Sequence, residues 1–334
     1  MLPQIISALI AITFAIGGSI LFYVGLNVFI DKFLSSSGLT PTQQIKRDRL
    51  REAIRPWIFI GPALLFLAFF LVYPVLRSLQ LSFMDREGDD FVGIANYIWA
   101  FKNEGFHVSI RNNILWLLIV PTLATAFGLV IAYLTDNIWW GKLARTLIFL
   151  PMAISFVGAS IIWKFVYDFR GPDAEQIGLL NAIIMAFGGE PRALISTLFW
   201  NNFFLMIILV WIQTGFAMVI LGAAIRGVPE DTIEASTMDG ASPLQVFFKI
   251  VIPQIWPTIV VVWTTITILV LKVFDIVYAM TNGQWGTQVL ANLMYNEMFR
   301  NANSGTASTV AVILMVAVLP VLIYNIRTAR NSAQ

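Results

Sequence analysis

Ionisable and amide side chains inside long apolar runs have the most chemical consequence in this sequence. An unpaired charge in hydrocarbon costs several kcal/mol, so such groups face a bundle interior or a cavity. Lys272 and Asp275 stand three apart and would share one face of a continuous helix, where they can pair. Gln213 and Thr214 interrupt an apolar run just after Trp211, and Phe216 and Tyr278 add aromatic faces nearby in sequence or type. Together they could hold a polar solute. Gln213, Thr214, Lys272 and Asp275 offer hydrogen bonds, while Trp211, Phe216 and Tyr278 offer flat apolar surfaces. Interhelical hydrogen bonds or an ion pair without any solute explain the same residues about as well.

Little else suggests chemistry. There is no cysteine, and the one histidine, His107, lies in a hydrophilic stretch, so no metal-ligand spacing exists. Gly141-Lys142 lacks the upstream glycine of a phosphate loop and is followed by leucine, which leaves no nucleotide-binding motif and no means of hydrolysing ATP. Asp89 and Asp90 read as a solvated loop pair. No residue is assigned a catalytic role, and no metal site is expected.

These residues must be positioned by membrane-spanning helices. Of 334 residues 58% are hydrophobic and 12% charged, the composition of an all-α polytopic membrane protein in contact with a lipid bilayer. A net charge of +2 gives no reason to expect a nucleic-acid partner. Seven apolar runs predict about seven transmembrane helices: 5–30, 57–76, 114–135, 146–163, 197–225, 255–271 with a polar extension, and 306–326. The first reads as a retained extra span (1–30), followed by a cytoplasmic linker (31–56) with Ser35-Ser36-Ser37-Gly38 and a basic amphipathic run from Lys46 to Arg55. Residues 57–334 form a six-helix core. Basic residues in the linker, Lys142, Arg145, Arg226, Lys249, Arg327 and Arg330 mark the inner side. The amino terminus is therefore expected outside and the carboxy terminus in the cytoplasm.

One stretch is polar where its surroundings are not. From Pro229, two carboxylates, Glu230 and Asp231, favour the positive end of a helix, Gly240 breaks it, and Ser242-Pro243 starts another. Leu244, Phe247, Phe248 and Val251 are expected to form one apolar face of the second helix. The result is a helical hairpin, 229–253, in an inner loop, suited to docking a cytoplasmic partner.

Within it, Glu234-Ala235-Ser236, Gly240 and Ile250-x-Ile252-Pro253 match the E-A-A-x3-G-x9-I-x-L-P signature, with serine for alanine and isoleucine for leucine. The chain thereby resembles the membrane permease subunits of binding-protein-dependent ABC importers, whose type I fold is implied. Tyr73-Pro74, Gly93-Ile94-Ala95-Asn96-Tyr97, Asn112, Arg145 with Pro151, and Phe274-Asp275 with Thr281-Asn282-Gly283 are similar to the sugar-importer branch, maltose type, and among these to alpha-glucoside permeases. The resemblance implies a cell inner membrane protein that pairs with a second permease subunit in a heterodimer. It also implies a cytoplasmic ATPase dimer, an extracytoplasmic solute-binding protein and a sugar substrate as partners. This chain would carry no cofactor, ATP and Mg being held by the ATPase subunits.

By the same resemblance Glu234, Ala235, Ser236, Asp239, Gly240, Ala241, Ile250 and Pro253 couple to the ATPase, with Glu234 facing a basic residue and Gly240 allowing close approach. Gln213, Phe216 and Lys272 fall near sugar-lining positions, although Lys272 departs from the amide expected there. Three other readings remain open. They are a permease for another polar solute such as glycerol phosphate, an ion-coupled carrier using Lys272 and Asp275, and a scaffold without a solute path.

Overall fold

A computed structural model describes residues 2–33, 40–136, 138–171 and 174–332. The described residues are helical apart from turns and a single antiparallel bridge between Met84 and Phe91, as the all-α expectation requires.

Residues Met1–Arg77 form one compact unit. Helix α1 (Leu2–Phe33) is apolar on every side, and none of its apolar window is buried. Helix α2 (Pro41–Leu67) begins at a capping box, in which the Thr40 N–H donates to Gln43 Oε1 at 3.3 Å and Pro41 takes the first helical position. The basic run from Lys46 to Arg55 is therefore helical and continuous with the second apolar span, while the Ser35–Gly38 part of the linker lies outside the described residues. Arg55 Nη2 donates to Asn27 Oδ1 at 2.8 Å, and Tyr23 stacks on Phe59 at 5.8 Å, tying α2 to α1. A π turn at Ala68–Val72 precedes Pro74, whose missing N–H would leave a regular ladder incomplete. Helix α3 (Tyr73–Leu81) then carries the chain into the second unit, Ser78–Gln334.

The second unit contains α4 (Ala95–Lys102), α5 (Glu104–Asp136), α6 (Gly141–Phe149), α7 (Phe156–Val166), α8 (Leu179–Ala186), α9 (Trp200–Arg226) and α10 (Glu230–Met238). After these come α11 (Pro243–Val246), α12 (Ile252–Leu271), α13 (Asp275–Met280), α14 (Leu290–Phe299) and α15 (Ser304–Ser332). Five described helices are long and apolar enough to cross a membrane, and a bent pair makes a sixth. α15 begins with a shorter apolar segment, Ser304–Pro320, and the side chains of Arg327 and Arg330 lie outside the described residues.

The expected single span 146–163 is corrected to that bent pair. Pro151 sits in a short 3-10 turn after α6, and Ser155 then caps a new helix by accepting from the Gly158 N–H at 3.0 Å. α6 and α7 consequently meet at 107°.

Helix α9 is the centre of the bundle, since 67% of its apolar window is buried against 39% for α5 and α12. It packs on α5 at short range: a Cβ on Gly128 would lie 2.4 Å from Ala217 Cβ, so only glycine permits this approach. Trp116, Leu205, Met206, Ile208, Leu209, Ile212 and Met218 fill the core around it.

Candidate functional site

Local rules build the hairpin. Pro229 is the N-cap of α10, one position earlier than the first helical turn expected of it, and Glu230 and Asp231 occupy that turn. The helix ends in a Schellman arrangement: the Gly240 N–H donates to Thr237 O and the Ala241 N–H to Ser236 O, both at 3.0 Å. Gly240 has φ +84°, a left-handed backbone that glycine adopts without strain, and nothing lies within 4 Å of where its Cβ would be. Ser242 then caps α11 with Gln245 in a reciprocal box, whose return bond from the Ser242 N–H to Gln245 Oε1 is 2.8 Å. A π turn, Phe247–Val251, precedes Pro253, as at Pro74.

The expected single apolar face of α11 is corrected by this turn. Phe247 and Val251 are buried in the core, whereas Leu244 is 70% and Phe248 61% exposed. Met238, 87% exposed, joins them on the projecting tip. Glu234, Ala235, Asp239, Gly240 and Pro253 are exposed, while Ala241 and Ile250 are half-buried. Ser236 is buried with its hydroxyl donating to Ile233 O at 2.7 Å, so the serine that departs from the signature is satisfied without disturbing the helix.

The base of the hairpin is fastened by residues that the sequence did not single out together. Asp136, the last residue of α5, accepts through Oδ1 from Arg145 of α6 and Arg226 at the end of α9, each at 3.2 Å. Tyr133 packs its ring 4.5 Å from that of Phe247 and donates to Pro243 O at 3.4 Å. Sequence does mark Asp136 as an acid closing an apolar run, but nothing local shows that arginines 9 and 90 positions onward reach it.

The candidate solute residues are divided among several sites. Gln213 and Phe216 on α9, with Thr265, Ile266 and Leu269 on α12 and Asp275 on α13, line a cleft of about 520 Å³ to which Ile154 and Ser155 of the bend also contribute. Trp211 and Thr214 point into a different, apolar cleft of about 660 Å³ against α5 and α7. Positions two apart on a helix are separated by roughly 200°, which puts Trp211 and Gln213 on opposite faces. Thr214 is satisfied by Val210 O at 2.7 Å. Tyr278 stacks on Phe274 at 5.1 Å and meets Tyr295 edge-on at 5.0 Å.

The expected pairing of Lys272 with Asp275 is also corrected. α12 ends at Leu271 and α13 begins at Asp275, so the two residues flank a helix break and do not share a face, and no ion pair joins them among the described residues. Both line a smaller cleft of about 300 Å³ beside Phe156 and Phe274.

At the end of the bundle away from the hairpin, a loop between α13 and α14 is held by asparagines. Asn112 Nδ2 donates to Gly286 O and Gln288 O, and Asn201 Nδ2 donates to Trp285 O, all at 2.8 Å.

Residues 124–331 match the family described as binding-protein-dependent transport system inner membrane component, a range that contains the hairpin and every residue lining the 520 Å³ cleft. The chain is similar to the alpha-glucoside transport system permease protein AglF of Rhizobium meliloti, 56% identical over 99% of both chains. It is 51% identical, over 81% of its own length and 97% of the relative's, to the osmoprotective compounds uptake permease protein GgtC of Synechocystis sp.. Its fold is that of a permease chain in the crystal structure of a bacterial ABC transporter involved in the import of the acidic polysaccharide alginate. That match has a TM-score of 0.72 at 22% identity, over 84% of this chain and 99% of the other.

Proposed function

The chain belongs to the family of inner-membrane components of binding-protein-dependent transport systems, and we propose that it is the permease of an alpha-glucoside importer driven through the 229–253 hairpin. The fold is that of a type I ABC importer permease, and the protein is a membrane subunit with several apolar spans.

The observation that carries the mechanism is continuity. α9 runs into the hairpin and α12 runs out of it, and these same helices supply Ile212, Gln213 and Phe216 on one wall of the 520 Å³ cleft and Thr265, Ile266 and Leu269 on another. A displacement of the hairpin is therefore a displacement of both walls. Asp136 and Tyr133 fasten its base to α5 and α6, which makes the unit move as a body and not as a loose loop. The tip presents what a partner's groove would need, namely exposed apolar Met238, Leu244 and Phe248 beside the carboxylates Glu234 and Asp239, with no side chain at Gly240.

In this reading a separate cytoplasmic ATPase dimer holds ATP and Mg and grips the hairpin, with Glu234 facing a basic residue and Gly240 at the point of closest approach. Closure of the ATPases rocks this chain against a second permease, opening the cleft outward to an external solute-binding protein. The amino terminus is outside and the carboxy terminus cytoplasmic, so that the hairpin and the basic residues share one side. Gln213 and Asp275 are the hydrogen-bonding groups of the solute site and Phe216 its aromatic wall, while Lys272 lies beside it.

Alpha-glucosides are favoured because the relative bearing that name matches end to end, whereas the osmoprotectant relative leaves about a fifth of this chain without a counterpart. The 51% identity of that relative supports a second reading, in which the solute is an osmoprotective compound. Uptake by proteoliposomes holding the complete complex tests the first reading. The expected result is ATP-dependent accumulation of maltose, sucrose or trehalose, with the ATPase co-purifying on a tag placed on this chain. Absence of a co-purifying ATPase rejects the coupling assignment, and uptake of none of the three sugars rejects the solute.

A further inference from the structure

Trp285 is held in a conformation that its side chain does not favour. Its φ and ψ are +53° and +34°, and Asn282, Gly283 and Gly286 beside it are also left-handed. A bulky residue there is an outlier that persists only where its surroundings over-determine it. They do: Asn201 captures the Trp285 carbonyl, Asn112 captures the carbonyls of Gly286 and Gln288, and a 2.7 Å hydrogen bond between the Thr281 and Thr287 hydroxyls closes the loop. The indole is nevertheless 45% exposed, so this placement does not serve core burial. A tryptophan anchoring the protein at the lipid interface requires neither a left-handed backbone nor pinned carbonyls.

The indole lines a cleft of about 370 Å³, within the range of small-ligand sites, together with Lys164, Asp168, Ser196 and Met280. Its polar walls carry one positive and one negative side chain. Asp168 lies 3.5 Å from Arg170 through Oδ2 and remains partly exposed, able to accept further hydrogen bonds. A flat apolar ring together with charged donors and acceptors of both signs suits a neutral polyhydroxylated ring, with one face on the indole and its hydroxyls on the charged groups.

The position of this cleft relates it to the central one. α7 begins at Phe156 in the wall of the 520 Å³ cleft and is followed at its other end by Tyr167 and Asp168 in the wall of the Trp285 cleft. α13 likewise runs from Asp275 in the first to Met280 in the second. At 1.5 Å per residue the eleven residues of α7 span about 16 Å and the six of α13 about 9 Å, so the two clefts are neighbours along both helices. Resting on the sugar-permease reading, we infer that Trp285, Lys164 and Asp168 form an antechamber that receives a glycosyl ring before it reaches Gln213 and Phe216.

The complete complex, grown with 5-fluorotryptophan and held in nanodiscs without binding protein, gives up to eleven fluorine lines from this chain; Trp285→Phe identifies the relevant one by its loss. Titration with maltose should shift that line saturably, and mannitol should not reproduce the shift at equal concentration. Trp285→Gly removes the ring while suiting the left-handed backbone, so uptake of maltose should fall about five-fold with no loss of assembled complex, and Trp285→Phe should recover most of it. A line unmoved by maltose in a complex that transports maltose overturns the antechamber and leaves the permease reading intact. A shifted line in a complex that transports none of the alpha-glucosides rejects that solute class and keeps the site. Absence of both rejects both, and undiminished uptake by Trp285→Gly overturns the role in transport.

Discussion

Replacement of Gly240 separates two reasons for a glycine, its backbone freedom and its lack of a side chain. At φ +84° an ordinary L-residue carries a left-handed penalty of roughly 1–2 kcal/mol, whereas asparagine adopts this region more readily. No atom within 4 Å obstructs a Cβ, so the penalty is confined to the backbone. Gly240→Ala should therefore lower hairpin stability by about 1 kcal/mol, a factor of about five in any local equilibrium. Gly240→Asn should weaken the hairpin less than alanine does but place a larger side chain on the exposed tip. If backbone geometry were all that mattered, the asparagine variant would transport better than the alanine variant. If a partner approaches closely, the order reverses: asparagine should leave the complex assembled and ATP hydrolysis running while uptake per ATP falls at least ten-fold. Proteoliposomes assayed in parallel for phosphate release and maltose accumulation, with thermal melts of each complex, give both quantities. Wild-type coupling in Gly240→Asn would refute the close-approach argument.

Three further outcomes follow from the same structure. Asp136→Asn weakens contacts to Arg145 and Arg226 that are partly exposed, worth roughly 1 kcal/mol each at most; it should raise amide exchange in residues 227–233 and reduce uptake per ATP, and unchanged exchange would contradict its fastening role. Gly128→Ala forces a Cβ to 2.4 Å from Ala217 and should destabilise the α5 and α9 contact by roughly 1–3 kcal/mol. Gly222→Ala meets nothing nearer than Ala132 at 3.6 Å and should leave the melting temperature unchanged or raised. The Asp85 carboxyl is held below the usual carboxylate range, chiefly by the Asp89 amide and also by those of Gly88 and Asp90. Because the folded value is lowered, its stabilisation of that turn is full above the ordinary range near pH 4 and lost as pH falls through the folded value. Amide exchange at Gly88 should thus deviate upward from its intrinsic pH dependence only in acid, and a flat ratio would refute the assignment.

The parts of this protein legible in its sequence are those governed by neighbours a few residues apart. Apolar run length marked the spans, and the hairpin followed from Pro229, Gly240 and Ser242-Pro243, because capping, left-handed turns and proline geometry act within about one helical turn. The helical period also separates Trp211 from Gln213, but only packing shows that one faces α5 and α7 and the other faces α12. Tertiary contacts likewise decided that α12 stops before Lys272 can share a face with Asp275, and that Phe247 turns inward while Phe248 stays exposed. They brought Arg226 to Asp136 across ninety positions. They also forced Trp285 into a left-handed loop by means of asparagines from α5 and α9. Each of these depends on partners tens to hundreds of positions away, whose approach is set by the burial of whole helices, so no short window of residue types contains it.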